Sequence, residues 1–126
     1  MKTLPRVLGL MVCKRLQVDV TRKQVNLIGI SNTLRHPRSR SPAEDFTVYA
    51  ALYGGKGEGT MQLVVFQVDT ERRFYRYRRW LAFPELAGFV HLEIPVKNCN
   101  FPARGRYLME LSFDQRFLAD RVIDVK

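Results

Sequence analysis

The chain has few of the residues that build metal sites and disulfide scaffolds, with two cysteines and two histidines among 126 residues. Cys13 and Cys99 form no C-x-x-C pair, and neither His36 nor His91 has a second ligand at metal spacing. This excludes the common structural zinc motifs. Cys13 and Cys99 could form one disulfide, but two reduced, packed thiols are the expectation for a cytosolic protein.

Motifs for reaction chemistry are also missing. The serines lack the glycine context of a nucleophile elbow, and the acids lie mostly near strand ends without a spacing that selects a pair. The stretch "GGKGEG" at 54–59 has no Ser or Thr after Lys56 and leads into a strand, so it reads as a glycine-rich turn rather than a phosphate loop. We therefore expect no enzyme activity and no cofactor.

Long apolar runs are absent as well. The uncharged run Val7–Cys13 has seven residues and is followed at once by Lys14 and Arg15. Val12 is too large for the position before a cleaved cysteine, and no stretch approaches the ~18 apolar residues of a membrane span. We expect a strand here, in a cytoplasmic protein.

Positive charge is what the chain has in excess. Its net charge is +9, and two acid-free windows carry most of it. "RRFYRYRRW" at 72–80 contributes five arginines, "RHPRSRSP" at 35–42 contributes three, and without these eight the balance is +1. Two local basic patches favour an anionic partner, although such charge also serves solubility alone.

Apolar residues recur with period two, in runs broken by Gly, Pro, Asn and Asp. This pattern predicts an all-β fold: one sandwich domain over residues 1–126, with about eight mainly antiparallel strands and an immunoglobulin-like or C2-like architecture. A closed barrel would give the same pattern. The predicted strands are 7–18, 24–35, 46–53, 59–69, 72–83, 89–97, 105–113 and 117–125.

Three segments carry a resemblance to a known family. They are "VCKRLQVDVTRKQVNLIGISNTLR", "FTVYAALYGGKGEGTMQLVVFQVD" and the region with "F-P-x-x-G-x-Y" at 101–107. In this order they resemble a family of small uncharacterised bacterial proteins. The resemblance implies a compact β-sandwich with no assigned catalytic residue, cofactor or substrate. In the last segment, Tyr107 at the start of a strand also suits a tyrosine that fastens a corner of the sandwich.

The basic strand 72–80 separates into two faces by parity. One face carries Arg72, Phe74, Arg76, Arg78 and Trp80, and the other carries Arg73, Tyr75, Tyr77 and Arg79. An edge strand with solvated arginines explains the pattern without any ligand. The candidate contact surface comprises Arg35, Arg38 and Arg40 of the loop and Arg73, Tyr75, Arg76, Tyr77, Arg78, Arg79 and Trp80 of the strand.

Two functions remain open for this surface. The favoured interpretation is a non-catalytic interaction or assembly module that contacts a protein partner or forms a homo-oligomer. The alternative is binding of nucleic acid or another polyanion, in which arginines contact phosphates and Tyr75, Tyr77 or Trp80 stacks on bases.

Overall fold

The computed structural model describes residues 2–35, 45–84 and 88–126, which form ten β-strands and no helix. No described segment could therefore cross a membrane as an apolar helix. The strands are β1 (Arg6–Cys13), β2 (Arg15–Asp19), β3 (Gln24–Ile28), β4 (Thr33–Leu34), β5 (Phe46–Tyr53), β6 (Glu58–Gln67), β7 (Arg73–Ala82), β8 (Phe89–Val96), β9 (Gly105–Phe113) and β10 (Arg116–Val125).

The strands form two packed sheets and one separate hairpin. The first sheet has three strands in the order β1-β5-β8, and the second has five in the order β4-β10-β9-β6-β7. All pairs are antiparallel except β4 with β10, which run parallel. Among the strands that the structure describes, β2 and β3 pair only with each other. The sandwich expectation is confirmed over the barrel, because no hydrogen-bonded ladder joins the two sheets in the described residues.

The core lies between the two sheets and is built from alternate residues of each strand. The predicted inner face of β9 is buried throughout, from Tyr107 to Phe113, because side chains on a strand alternate between its two faces. The core also takes Leu10 and Val12 of β1, Val48, Ala50 and Leu52 of β5, Met61, Leu63 and Val65 of β6, Leu92, Ile94 and Val96 of β8, and Ile123 and Val125 of β10.

Two of the eight predicted strands are wrong in extent, and each is divided in the structure. Predicted strand 7–18 becomes β1 and β2, which break at Lys14, and predicted strand 24–35 becomes β3 and β4. The second break follows Gly29, which has a φ of 71°, a left-handed conformation that only glycine adopts without cost. The other six strands match the prediction to within two residues at each end.

Tyr107 fastens the turn between β8 and β9, as expected from its place in "NFPARGRY". Its hydroxyl donates a hydrogen bond to the backbone carbonyl of Ala103 and accepts one from the Ala103 N–H at 3.1 Å. The Tyr107 ring lies 4.9 Å from the Phe101 ring, centroid to centroid. This is the tyrosine corner of Greek-key sandwiches.

The two cysteines are unpaired and buried. This confirms the expectation of separate thiols over a disulfide. Burial raises the pKa of Cys99 to about 12 and also raises the pKa of Cys13, so both groups stay neutral thiols at physiological pH. Neither cysteine has the lowered pKa of a reactive thiolate.

Candidate functional site

The basic strand β7 lies at one edge of the five-stranded sheet. It pairs with β6 along one side, and no described strand pairs with its other side. Its free backbone N–H and C=O groups are therefore available to an added strand. All charged residues of this edge strand are arginines.

The pairing register divides the side chains of β7 between the two faces of the sheet. Tyr75 and Tyr77 lie opposite buried Val65 and Leu63, and both tyrosines are half-buried against the core. The outer face carries exposed Arg76, Arg78 and Trp80, and Trp80 is 61% exposed. Both tyrosines are thus withdrawn from the surface that carries these arginines.

Arg73, the first residue of this strand, and Arg79, within it, are both exposed. Arg79 lies opposite buried Met61, on the inner face of the sheet with the tyrosines. Arg73 lies opposite Phe66, beyond a register shift in the pairing of β6 with β7. The shift is a β-bulge, which breaks the simple parity on which the sequence analysis grouped residues by face.

Arg78 contributes to a shallow polar depression on the outer face of the sheet. Its Nε donates a 2.8 Å hydrogen bond to Oε1 of Gln62, so the guanidinium lies over β6 rather than beyond the free edge. The depression has a volume of about 300 Å³. It is lined by Thr60, Gln62, Arg78, Ser112, Asp114 and Gln115, which belong to β6, β7, β9 and the β9–β10 turn.

The β9–β10 turn places Asp114 at the end of this depression. Asp114 and Gln115 are the two central residues of the turn and have φ of 48° and 66°, the left-handed pair of a type I′ hairpin. The Asp114 carboxylate accepts hydrogen bonds from the Thr60 N–H and from the Lys2 ammonium, both at 2.9 Å. The contact with Lys2 comes first among the causes that lower the pKa of Asp114.

The predicted loop surface does not join the basic strand. Arg35 is exposed directly after β4, and β4 forms the opposite edge of the sheet from β7. Arg38 and Arg40 lie outside the described residues. Three strands separate Arg35 from the arginines of β7, so the two basic windows do not form one contact surface through Arg35.

The sequence analysis missed an aromatic group on the outer face of the three-stranded sheet. Tyr49 and His91 share a hydrogen bond between the Tyr49 hydroxyl and Nδ1, with ring centroids 5.7 Å apart. Next to them the rings of Tyr53 and Phe89 lie 5.1 Å apart, and both side chains are exposed. The sequence could have indicated this group, because its residues occupy the outward-facing alternate positions of β5 and β8.

The sequence analysis also missed the residues that share the depression with Arg78. Gln62 and Ser112 have the outward parity of β6 and β9, but these strands are distant in the chain. Only the strand order brings them beside Arg78. No pattern within one strand could have found this group.

Comparison with known proteins supports the architecture. No protein-family model matches the chain, and no curated protein matches it. Among solved structures the chain is similar to an immunoglobulin-like protein from Pseudomonas aeruginosa, with a TM-score of 0.54, 14% identity and 98% of each chain covered. The fold is immunoglobulin-like. Within it, β10, β9 and β6 hold the places of the G, F and C strands, and β7 that of C′, the strand added in variable-type domains.

Proposed function

We propose that the protein is a non-catalytic interaction module that binds an extended acidic segment of a partner protein along β7. The observation that carries the proposal is the unpaired edge of β7 together with its exposed arginines. Backbone hydrogen bonds to the edge would supply affinity, and contacts with alternate side chains would supply specificity. Acidic side chains of the added strand would lie beside Arg76 and Arg79.

The charge of β7 favours a different protein over a second copy of this chain. In an antiparallel pairing of two β7 strands centred on Tyr77, Arg76 of each copy lies opposite Arg78 of the other. Moving the centre to Arg76 or to Arg78 places that arginine opposite itself. Like charges directly opposite one another destabilise a strand pair, so each of these registers is disfavoured.

The placement of the tyrosines favours a protein partner over single-stranded nucleic acid. Single-strand binders combine cationic side chains with aromatic platforms on one surface. Here Tyr75 and Tyr77 pack against the core, and among the aromatic side chains of β7 that the structure describes, only Trp80 shares the outer face with Arg76 and Arg78. Nucleic-acid binding is therefore kept as an outcome of the test.

The test measures binding of labelled ten-residue probes by fluorescence anisotropy at 50 and 300 mM salt. The probes are an acidic peptide that repeats Glu-Glu-Val-Val, so that Glu side chains occur on both faces of the added strand, the same peptide with Lys in place of Glu, and oligo-dT. We expect the acidic peptide to bind best, and the double variant Arg76→Gln/Arg79→Gln to weaken it about threefold to tenfold, because exposed charge pairs contribute ~0.2–1 kcal/mol each. Methylating alternate backbone nitrogens of the peptide should abolish the edge pairing.

A matched control removes the same charge elsewhere. The variant Arg15→Gln/Arg22→Gln changes two exposed arginines of the separate β2–β3 hairpin and should leave peptide binding within twofold. Equal losses in the two double variants would show a nonspecific charge effect and would contradict the proposal. Tighter binding of oligo-dT than of the acidic peptide would favour the polyanion alternative.

The proposal also covers family and location. We propose membership in the family of small uncharacterised bacterial sandwich proteins; the order of the three sequence segments and the likeness to a bacterial immunoglobulin-like protein support it. We propose a cytoplasmic location, which the unpaired, buried thiols of Cys13 and Cys99 support. Cell fractionation with an antibody against the chain tests the location.

A further inference from the structure

The polar depression on the outer face offers hydrogen-bond donors that the fold leaves unused. Ser112 is only 8% exposed, lines the depression, and has no hydrogen-bond partner for its hydroxyl among the described residues. No buried side-chain oxygen or nitrogen of the described residues lacks a partner, so the Ser112 hydroxyl is open to the depression, where it can donate to water or to a ligand. The Thr60 hydroxyl lines the same space and also has no partner in the described chain.

Arg78 supplies the charge of the site. Its Nε is engaged by Gln62, which fixes the plane of the guanidinium, and no described carboxylate forms an ion pair with it. The two terminal nitrogens of an arginine present parallel N–H groups that match the two oxygens of a carboxylate. The guanidinium is thus both oriented and uncompensated.

The remaining charges leave the site with a single net positive charge. Asp114 is ionised, since its contacts lower its pKa, and the Lys2 ammonium 2.9 Å away compensates it. Arg78 is then the uncompensated group among those that line the depression. A planar carboxylate group, which carries one negative charge, fits this balance better than a doubly charged phosphate group.

We propose that this depression binds the carboxylate of a small organic acid, with Arg78 as the bidentate donor and the hydroxyls of Ser112 and Thr60 as further donors. The volume of about 300 Å³ is at the lower end for ligand pockets and suits an acid of a few carbons. The site stands apart from the proposed strand addition, because Arg78 lies over β6 while the free edge lies on the other side of β7.

The test follows the backbone amides of Thr60 and Ser112, the Gln62 side-chain amide and the Arg78 Nε–H by NMR, with the full chain. Succinate, acetate, inorganic phosphate and chloride are titrated at matched ionic strength. We expect saturable shifts with succinate and acetate and none with chloride. Arg78→Gln should weaken succinate binding about tenfold or more, since a hydrogen bond to a charged group contributes ~1.5–3 kcal/mol.

Two further variants separate the site from general charge effects. Ser112→Ala should weaken succinate binding several-fold without changing net charge, and it serves if Arg78→Gln does not fold. Arg76→Gln, on the same strand but outside the depression, should have no effect. Unchanged succinate affinity in both Arg78→Gln and Ser112→Ala, or equal shifts with chloride, would overturn the proposal.

The outcome is independent of the edge-binding test. The variant Arg76→Gln/Arg79→Gln should weaken acidic-peptide binding while it keeps succinate binding. The variant Arg78→Gln should weaken succinate binding. If phosphate alone saturates the shifts, the site is a phosphate site and the assignment to a carboxylate is wrong.

Discussion

At the scale of single residues, Tyr107 shows how one side chain holds two parts of the sandwich together. Its ring is fully buried in the core, and its hydroxyl satisfies both backbone groups of Ala103 in the turn before β9. A buried hydroxyl with two good partners stabilises the fold, whereas loss of the hydroxyl leaves the two backbone groups without them. The role of Tyr107 could be predicted from the sequence, because the motif at 101–107 overlaps the start of β9.

Replacing Tyr107 by Phe is expected to lower the free energy of unfolding by about 1–3 kcal/mol. Urea denaturation followed by Trp80 fluorescence measures the change. Tyr77→Phe is the matched control, since the Tyr77 hydroxyl has no hydrogen-bond partner among the described residues and should change stability by less than about 0.5 kcal/mol. Equal effects of the two substitutions would remove the structural role assigned to the Tyr107 hydroxyl.

At the scale of elements, the β9–β10 turn has a backbone that its residues do not prefer. A type I′ turn requires positive φ at both central positions, where Asn-Gly or Asp-Gly is favoured. Asp114 tolerates this conformation, but Gln115 does not readily adopt it. Strained residues that persist in a fold are found most often at functional sites, and both of these line the depression.

Gln115→Gly is therefore expected to stabilise the protein by about 1 kcal/mol, because glycine adopts the left-handed region without steric cost. The midpoint of thermal unfolding should rise by several degrees, measured by calorimetry. The control Gln17→Gly, at an exposed position within β2, should destabilise instead, because glycine weakens a strand interior. A destabilised Gln115→Gly variant would show that the turn carries no such strain.

Prediction of the strands from the sequence succeeded where a strand keeps the same neighbouring strands along its length. β5 and β9 have their predicted bounds, since each pairs along its whole length in the middle of a sheet. It failed over 7–35, where the chain leaves β1 at Lys14, forms a hairpin and returns as β4 beside β10. The alternation of apolar and polar residues indicates which side chains are buried, but it does not indicate where the chain changes its partner strand.

At the scale of the whole molecule, Arg35 and the arginines of β7 lie at opposite edges of one sheet. Four strand spacings, about 19 Å, separate β4 from β7. This exceeds the Debye length of ~8 Å at physiological ionic strength, so Arg35 and the arginines of β7 act almost independently. The net charge could be counted from the sequence, but the separation of Arg35 from β7 required the strand order.

Neutralising β7 is expected to make the molecule associate with itself. Arg76→Thr/Arg78→Thr removes the like charges that oppose pairing of two edges while it keeps a residue type that strands favour. Sedimentation velocity should show a concentration-dependent dimer for this variant. The native chain and Arg15→Thr/Arg22→Thr should sediment as monomers, and a native dimer at low salt would contradict the role given to the charge.

The β2–β3 hairpin has a practical consequence for engineering the chain. It belongs to neither main sheet, and its connecting turn, residues 20–23, is fully exposed. Exposed turns whose backbone takes no part in the core are the usual places where foreign sequence is accepted. The hairpin contributes no residue to β7 or to the lining of the depression, so we expect a fluorescent protein or affinity tag inserted after Thr21 to preserve both sites and to serve for displaying the domain on a surface.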